Sequence, residues 1–150
     1  MTVDVPLALE KLAVRLGGAG ASLDAAQRLS GGASMETWAF AIAGPSGRED
    51  LILRRRSAPF DPENARSVSL ATEAALIRAT GARGALVPPV RHLCDDADGL
   101  GEAYVMGRVE GETLGRRIVG DPRFDAVRAS SRANAARRWS RSTPPHRRRA

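Results

Sequence analysis

The sequence is poor in cysteine, lysine and long apolar runs. A single cysteine, Cys94, excludes any disulfide within the chain, and we expect a reducing compartment. No apolar run approaches the roughly 20 residues of a membrane span. Residues 1–10 lack the basic start and long apolar core of a signal peptide. We therefore interpret the chain as soluble and cytoplasmic, with no membrane partner.

Lysine is almost absent, since Lys11 is the only one among 23 basic residues. With abundant alanine and glycine, this bias indicates a GC-rich coding sequence rather than selection for arginine chemistry. The net charge of +6 is unevenly placed. Residues 1–124 carry 15 basic and 16 acidic side chains, whereas residues 125–150 carry eight arginines and one acid. The sequence thus predicts one near-neutral domain with a basic tail.

Hydrophobic periodicity and turn residues predict an α+β fold. We expect an antiparallel sheet of about five strands, with one helix inserted after the third strand. We divide the chain into a leading helix and loop (1–24), a sheet-containing domain (25–124) and an irregular tail (125–150). The predicted helices cover 6–16, 67–80 and a segment from 113, and the predicted strands cover 25–29, 37–42, 51–54, 90–94 and 103–109.

Four segments resemble motifs of the aminoglycoside phosphotransferase family, in the family's order and at its spacings. They are Leu29-Ser-Gly-Gly-Ala-Ser-Met-Glu-Thr-Trp38, Leu51-Ile-Leu-Arg-Arg55, Glu73 in the inserted helix, and Tyr104-Val-Met-Gly-Arg-Val-Glu-Gly-Glu-Thr113. The resemblance covers roughly residues 25–128. It implies the N-terminal, nucleotide-binding lobe of a protein-kinase-like fold, with ATP as the nucleotide.

The resemblance also assigns roles. The glycine turn would cover the ATP phosphates, Arg54 would contact them and pair with Glu73, and a hinge would bind adenine through backbone groups. At the position of Arg54 the family commonly has lysine, which differs in reach and geometry. The implied nucleotide-binding residues are Ser30, Gly31, Gly32, Ala33, Ser34, Arg54, Glu73, Met106, Gly107, Arg108 and Val109.

Simpler interpretations stay open for several of these residues. The glycine pair could be only a turn, Arg54 a solvated charge at a strand end, and Glu73 an ordinary helix glutamate. Met106 and Tyr104 could be simple core residues instead of lining an adenine pocket. Arg55, which a regular strand would direct to the face opposite Arg54, and Arg56 are interpreted as solvated.

We assign no metal ligand from the sequence. Asp95, Asp96 and Asp98 resemble part of a calcium loop, but no glutamate follows at the required spacing, so we interpret them as a polar turn. His92 has no partner at ligand spacing and is taken as structural. Cys94 lies in a predicted strand and is taken as buried and inert.

Residues for phosphoryl transfer itself are missing from the 150 residues. In the family, a His-Gly-Asp motif, a following asparagine and a later aspartate supply the catalytic base and the magnesium ligands. Neither His92 nor His146 is followed by Gly-Asp. We therefore expect a truncated phosphotransferase that is inactive alone and lacks the acceptor site. A frameshift near residues 125–137 would explain the basic tail.

Two other functions stay open. The arginine-rich tail could bind nucleic acid through phosphate contacts, although it contains one aromatic residue, Trp139, and no regular spacing. Alternatively, the chain could be a non-catalytic module that binds a protein partner through its hinge face. An isolated lobe would also expose apolar surface and could self-associate. The phosphate acceptor, an alcohol in the family, cannot be identified from this sequence.

Overall fold

A computed structural model describes residues 3–29, 35–57, 63, 68–131 and 134. The chain divides into two compact units, Met1–Arg78 with Pro88–Arg108, and Ala79–Val87 with Val109–Ala150. The elements are α1 (Val5–Gly17), β1 (Ser22–Arg28), β2 (Met35–Gly44), β3 (Gly47–Arg56), α2 (Leu70–Ala82), β4 (Val90–Leu93), a 3₁₀ turn (Asp96–Asp98), β5 (Ala103–Gly107), α3 (Gly115–Gly120) and a second 3₁₀ turn (Pro122–Phe124).

The first unit contains an open five-stranded sheet in the order β1-β2-β3-β5-β4, and every neighbouring pair is antiparallel. The turn at Pro45 and Ser46 joins β2 to β3, with Gly47 at a φ of 103° that favours glycine. The α+β class, the five antiparallel strands and the helix between the third and fourth strands confirm the coarse fold prediction.

Helix α1 packs on one face of this sheet. Asp4 caps the helix by accepting a hydrogen bond from the Leu7 amide, at 3.2 Å. Its apolar stripe, which includes the fully buried Leu9 and Leu12, contributes to the main core. The sheet residues of this core are Phe40, Ile42, Leu51, Leu53, Ala103 and Val105. Burial of each large side chain stabilises the fold by about 1.5–3 kcal/mol.

Helix α2 contributes to a second, smaller cluster on the other face. Leu70, Ala74 and Tyr104 are buried together, and Met35, Ile77, Val90 and Met106 pack against them. Because successive strand residues alternate between faces, Leu53 faces α1 whereas Arg54 faces the α2 cluster. The sheet thus packs α1 on one face and carries the α2 cluster, with Arg54 beside it, on the other.

Several boundaries differ from the sequence prediction. Strand β3 starts four residues early because its polar residues 48–50 pair with apolar residues 41–43 of β2. Strand β1 begins at Ser22 and so spans the boundary placed after residue 24. Residues 125–131 are helical, which corrects the irregular start predicted for the tail. The division into 1–24, 25–124 and 125–150 stays a prediction. Among the described residues, no helix has the length and apolar character to cross a membrane.

Candidate functional site

Arg54 and Glu73 form an ion pair between the sheet and the inserted helix. The Nε atom of Arg54 lies 2.9 Å from Oε1 of Glu73, and Nη2 lies 3.5 Å from Oε2. The contact is mainly electrostatic, because Nε lacks a hydrogen-bond partner of good geometry. The side chains are 31% and 27% exposed, so a ligand in solution can reach both. The predicted pairing of Arg54 with Glu73 is present in the structure.

Tyr104 holds the carboxylate of this pair from the protein interior. It lies directly opposite Arg54 in the β3–β5 ladder, and its hydroxyl donates to Oε1 of Glu73 at 2.9 Å. Burial, the hydrogen bond to Glu73 and the charge of Glu73 all raise the pKa of Tyr104. The phenol therefore remains a neutral donor. Of the two interpretations left open for Tyr104, the structure places it in the core and in contact with the ion pair.

The carboxylate of Glu102 fixes the start of α2 against the end of β3. Its Oε1 atom accepts from the amide of Leu70, the first residue of the helix, at 2.5 Å. Its Oε2 atom accepts from Nε of Arg56 at 2.6 Å. One side chain thus satisfies an unpaired helix amide and ties the helix to the strand. This connection sets where Glu73, one turn into α2, meets Arg54.

The strand ends that flank the predicted glycine turn lie at the Arg54 end of the sheet. Thr37 of β2 is directly opposite Arg54, and its carbonyl accepts from the Leu29 amide at 2.8 Å. Leu29 and Met35 are the described residues on either side of the turn. Ser30, Gly31, Gly32, Ala33 and Ser34 themselves lie outside the described residues, so their predicted phosphate contacts stay a prediction.

An apolar row crosses the sheet beside Arg54. Ala39, Ile52 and Met106 occupy directly paired positions on β2, β3 and β5, so their side chains lie next to one another. Ile52 is two residues from Arg54 and shares its face. Ala39 is buried, whereas Ile52 and Met106 are half-buried. The face therefore combines a cation with an adjacent apolar strip, which suits an anionic ligand that carries a flat apolar ring.

The predicted hinge is only partly available for hydrogen bonding. The amide of Gly107 donates to the carbonyl of Pro89 at 2.9 Å, and the amide of Arg108 donates to the carbonyl of Asp50 at 3.0 Å. Neither amide is therefore a donor to adenine in this arrangement. Val109 is exposed and begins the second unit. Met106, at the end of the apolar row, is a predicted hinge residue that lies on the Arg54 face.

The prediction that Arg55 and Arg56 are solvated is wrong. Arg55 does lie on the face opposite Arg54, as predicted, but it is buried there. It donates to the Leu100 carbonyl at 3.1 Å and to Oε2 of Glu36 at 2.7 Å. The side chain of Arg56 is 8% exposed and pairs with Glu102. The guanidinium groups of Arg55 and Arg56 are thus engaged in contacts within the protein. Of these three arginines, Arg54 is the one that a ligand can reach.

No family model, no curated protein and no solved structure matches this chain. The sequence did not predict the contact of Tyr104 with Glu73 or any role for Glu102. Tyr104 lies opposite Arg54 because of the register between β3 and β5, and the sequence does not specify that register.

Proposed function

We propose that this chain is the nucleotide-binding lobe of a kinase-like small-molecule phosphotransferase, of the kind found in aminoglycoside phosphotransferases. The observation that carries the proposal is the ion pair between Arg54 on β3 and Glu73 on α2. In protein kinases, a lysine on the third strand pairs with a glutamate of the following helix and contacts the ATP phosphates. Arg54 and Glu73 occupy equivalent elements.

The surroundings of Arg54 also support ATP as the ligand. The strand ends that flank the predicted glycine turn lie at the same end of the sheet, and the apolar row lies beside Arg54 on the same face. A guanidinium group can bind two phosphate oxygens at once, and its charge does not depend on pH near neutrality. ATP would thus place its phosphates near Arg54 and its base toward Met106.

The proposal concerns binding of the nucleotide and assigns no step of phosphoryl transfer. A catalytic base and magnesium ligands are needed to transfer phosphate to an alcohol. The family's His-Gly-Asp motif, which contributes them, does not occur in this sequence. No magnesium ligand is therefore assigned, and the acceptor alcohol stays open. An ATP-dependent role of this kind fits the cytoplasm, where ATP is made and used.

Calorimetric titration of the full chain with ATP, at about 0.15 M salt, tests this function. We expect saturable one-to-one binding. Arg54→Ala should weaken it about 10- to 100-fold, because a hydrogen bond to a charged group contributes about 1.5–3 kcal/mol. Arg54→Lys should retain part of the affinity because it keeps the charge.

Arg48→Ala is the matched control. Arg48 lies on the same strand, is about half exposed and pairs with Asp50. Its removal subtracts the same charge at a distance from the proposed site and should leave ATP affinity unchanged. The proposal is wrong if the folded wild-type chain does not bind ATP, or if Arg48→Ala and Arg54→Ala weaken binding equally.

A further inference from the structure

A second cluster of functional side chains lies at the turn between β4 and β5, on residues that the nucleotide site does not use. His92 is in β4, Cys94 follows that strand, and Asp98 ends the 3₁₀ turn. One potential ligand atom from each residue lies within 4.8 Å of the other two. The turn folds back so that Asp98 reaches His92, with 2.8 Å between Oδ2 and Nε2. The sequence did not reveal this partner for His92.

The carboxylate of Asp98 is held firmly before any ligand binds. Its side chain is 1% exposed, and Oδ1 accepts from Nη1 of Arg15 at 2.8 Å. Oδ2 accepts from the backbone amide of Asp95 at 2.9 Å, which forms a capping box around the turn. His92 is 18% exposed and Cys94 is half-buried, so the cluster is shielded without being closed to solvent.

The charges of this cluster favour a cation. Arg15 contributes one positive charge, and Asp95 and Asp98, both paired with it, contribute two negative charges. The two carboxylates therefore exceed the guanidinium by one negative charge around a shielded side chain, which is unfavourable. Burial and the charges of Asp98 and Asp95 raise the pKa of Cys94 to about 12. Coordination of this sulfur therefore requires displacement of the thiol proton.

We propose that His92, Cys94 and Asp98 form a binding site for one divalent ion of the zinc class. Imidazole nitrogen, thiolate sulfur and carboxylate oxygen are the ligands that Zn²⁺ takes in proteins, and water would complete a tetrahedral set. Binding converts the Cys94 thiol to a thiolate and releases its proton to solvent. The added cation offsets the charge of the new thiolate and the excess carboxylate charge of the cluster.

Coordination requires the three side chains to shift. With a Zn–S distance of about 2.3 Å, Sγ of Cys94 must come to about 3.6 Å from each of the other two ligand atoms, which now lie within 4.8 Å of it. Tetrahedral ligands at about 2.0–2.1 Å from zinc lie roughly 3.3 Å apart, so Nε2 of His92 and Oδ2 of Asp98 must separate by about 0.5 Å. Arg15 keeps its contact with Oδ1 and acts as the outer partner that orients the carboxylate. The metal site uses none of the residues of the Arg54 face. A test of metal binding is therefore independent of a test of nucleotide binding.

Titration of the metal-free full chain with Co²⁺, followed by competition with Zn²⁺, tests the site. Since Cys94 is the only cysteine, a cobalt–thiolate charge-transfer band can come from no other residue. We expect this band to saturate at one equivalent of Co²⁺ and to disappear on addition of Zn²⁺. Failure of the folded chain to develop the band would overturn the proposal.

Variants identify the ligands. His92→Gln and Cys94→Ser should each weaken Zn²⁺ binding by about tenfold or more, and Cys94→Ser should abolish the band. Asp96→Asn, which removes an exposed acid of the same turn, and His146→Gln, which removes the other histidine, should change neither property. An equal loss in Asp96→Asn would indicate non-specific binding to the acidic turn and would contradict the proposal.

A measurement on the wild-type chain tests the site without variants, which could fail to fold. Alkylation of Cys94 should become at least about tenfold slower with stoichiometric Zn²⁺, because a coordinated sulfur is a poor nucleophile, and a chelator should restore the rate. An unchanged alkylation rate would show that sulfur is not a ligand and would refute the site.

Discussion

Tyr104 and Arg54 contact the same atom, Oε1 of Glu73, from two sides. The phenolic hydroxyl donates to this oxygen at 2.9 Å, and Nε of Arg54 lies 2.9 Å from it. The tyrosine is 1% exposed, whereas the arginine is about one-third exposed. A buried neutral donor thus orients a carboxylate whose ionic partner faces the solvent. The contact of Tyr104 with Glu73 is therefore buried and structural, whereas Arg54 remains accessible to a ligand.

Removal of the tyrosine hydroxyl should loosen this carboxylate. We expect Tyr104→Phe and Glu73→Ala to show a coupling free energy of about 1 kcal/mol in a double-mutant cycle, because each removes one partner of the same hydrogen bond. Urea denaturation of the four proteins measures it. A coupling near zero would show that the hydrogen bond does not contribute. Tyr104→Phe should also weaken ATP binding, although less than Arg54→Ala does.

Leucines of α1 should differ sharply in their contribution to stability. Leu9 is fully buried against the sheet, whereas Leu7 on the same helix is 50% exposed. Leu9→Ala should lower the free energy of unfolding by about 2–5 kcal/mol, because it removes buried surface and leaves a cavity. Leu7→Ala should change it by no more than about 0.5 kcal/mol. Similar losses in chemical denaturation would contradict the packing of α1 described here.

Gly17 should be intolerant of a methyl group even though it ends a helix. A Cβ atom at this position would lie 2.5 Å from Cβ of Ala21 and 3.0 Å from Cγ2 of Ile42. We expect Gly17→Ala to be destabilising by about 1–3 kcal/mol, which outweighs the better helix propensity of alanine. Gly115→Ala, where a Cβ meets nothing within 4 Å, is the control and should be neutral or slightly stabilising in thermal unfolding.

The contact between Glu36 and Arg55 should make stability depend on acid pH. The hydrogen bond and charge of Arg55 lower the pKa of Glu36 below its ordinary value of 4.5. The folded state therefore binds the proton less readily than the unfolded state does. The resulting stabilisation is complete well above the unfolded pKa and is lost as the pH falls through the folded pKa.

Urea denaturation between about pH 7 and pH 3 measures this effect. We expect the free energy of unfolding to decrease below about pH 4.5 and Glu36→Gln to flatten the decrease. Glu49→Gln, which changes an exposed acid in contact with Arg91, should leave the profile unaltered. If Glu36→Gln and the wild type lose stability in parallel as the pH falls, the coupling of Glu36 to Arg55 is refuted.

Local sequence patterns were sufficient for the coarse fold. Apolar spacing identified α1 and α2, and glycine and proline marked the turn between β2 and β3, because these signals depend on neighbouring residues. Periodicity predicted too short a β3. The first residues of this strand are polar, and they are extended because β2 pairs with them. A hydrophobic pattern within one segment cannot predict a strand that forms because a distant segment pairs with it.

Only the part of the candidate site that belongs to a sequence motif could be predicted. The pairing of Arg54 with Glu73 followed from the resemblance, but the contacts of Tyr104 and Glu102 depend on register and on the start of α2. Burial of Arg55 depends on the Leu100 carbonyl and Glu36, which are distant in sequence. Arginine in a strand gives no local signal of such partners.

The pairing of β5 with β3 has a consequence for the order of folding. Strands β1, β2 and β3 form a meander of neighbouring segments, but β5 must close a long loop before it can pair with β3. Such non-local pairing is slow compared with hairpin formation. Tyr104 arrives with β5, so Glu73 acquires its buried donor only in this late step. A chain still on the ribosome, with β5 not yet emerged, would hold Arg54 and Glu73 without the buried hydroxyl that orients the carboxylate between them.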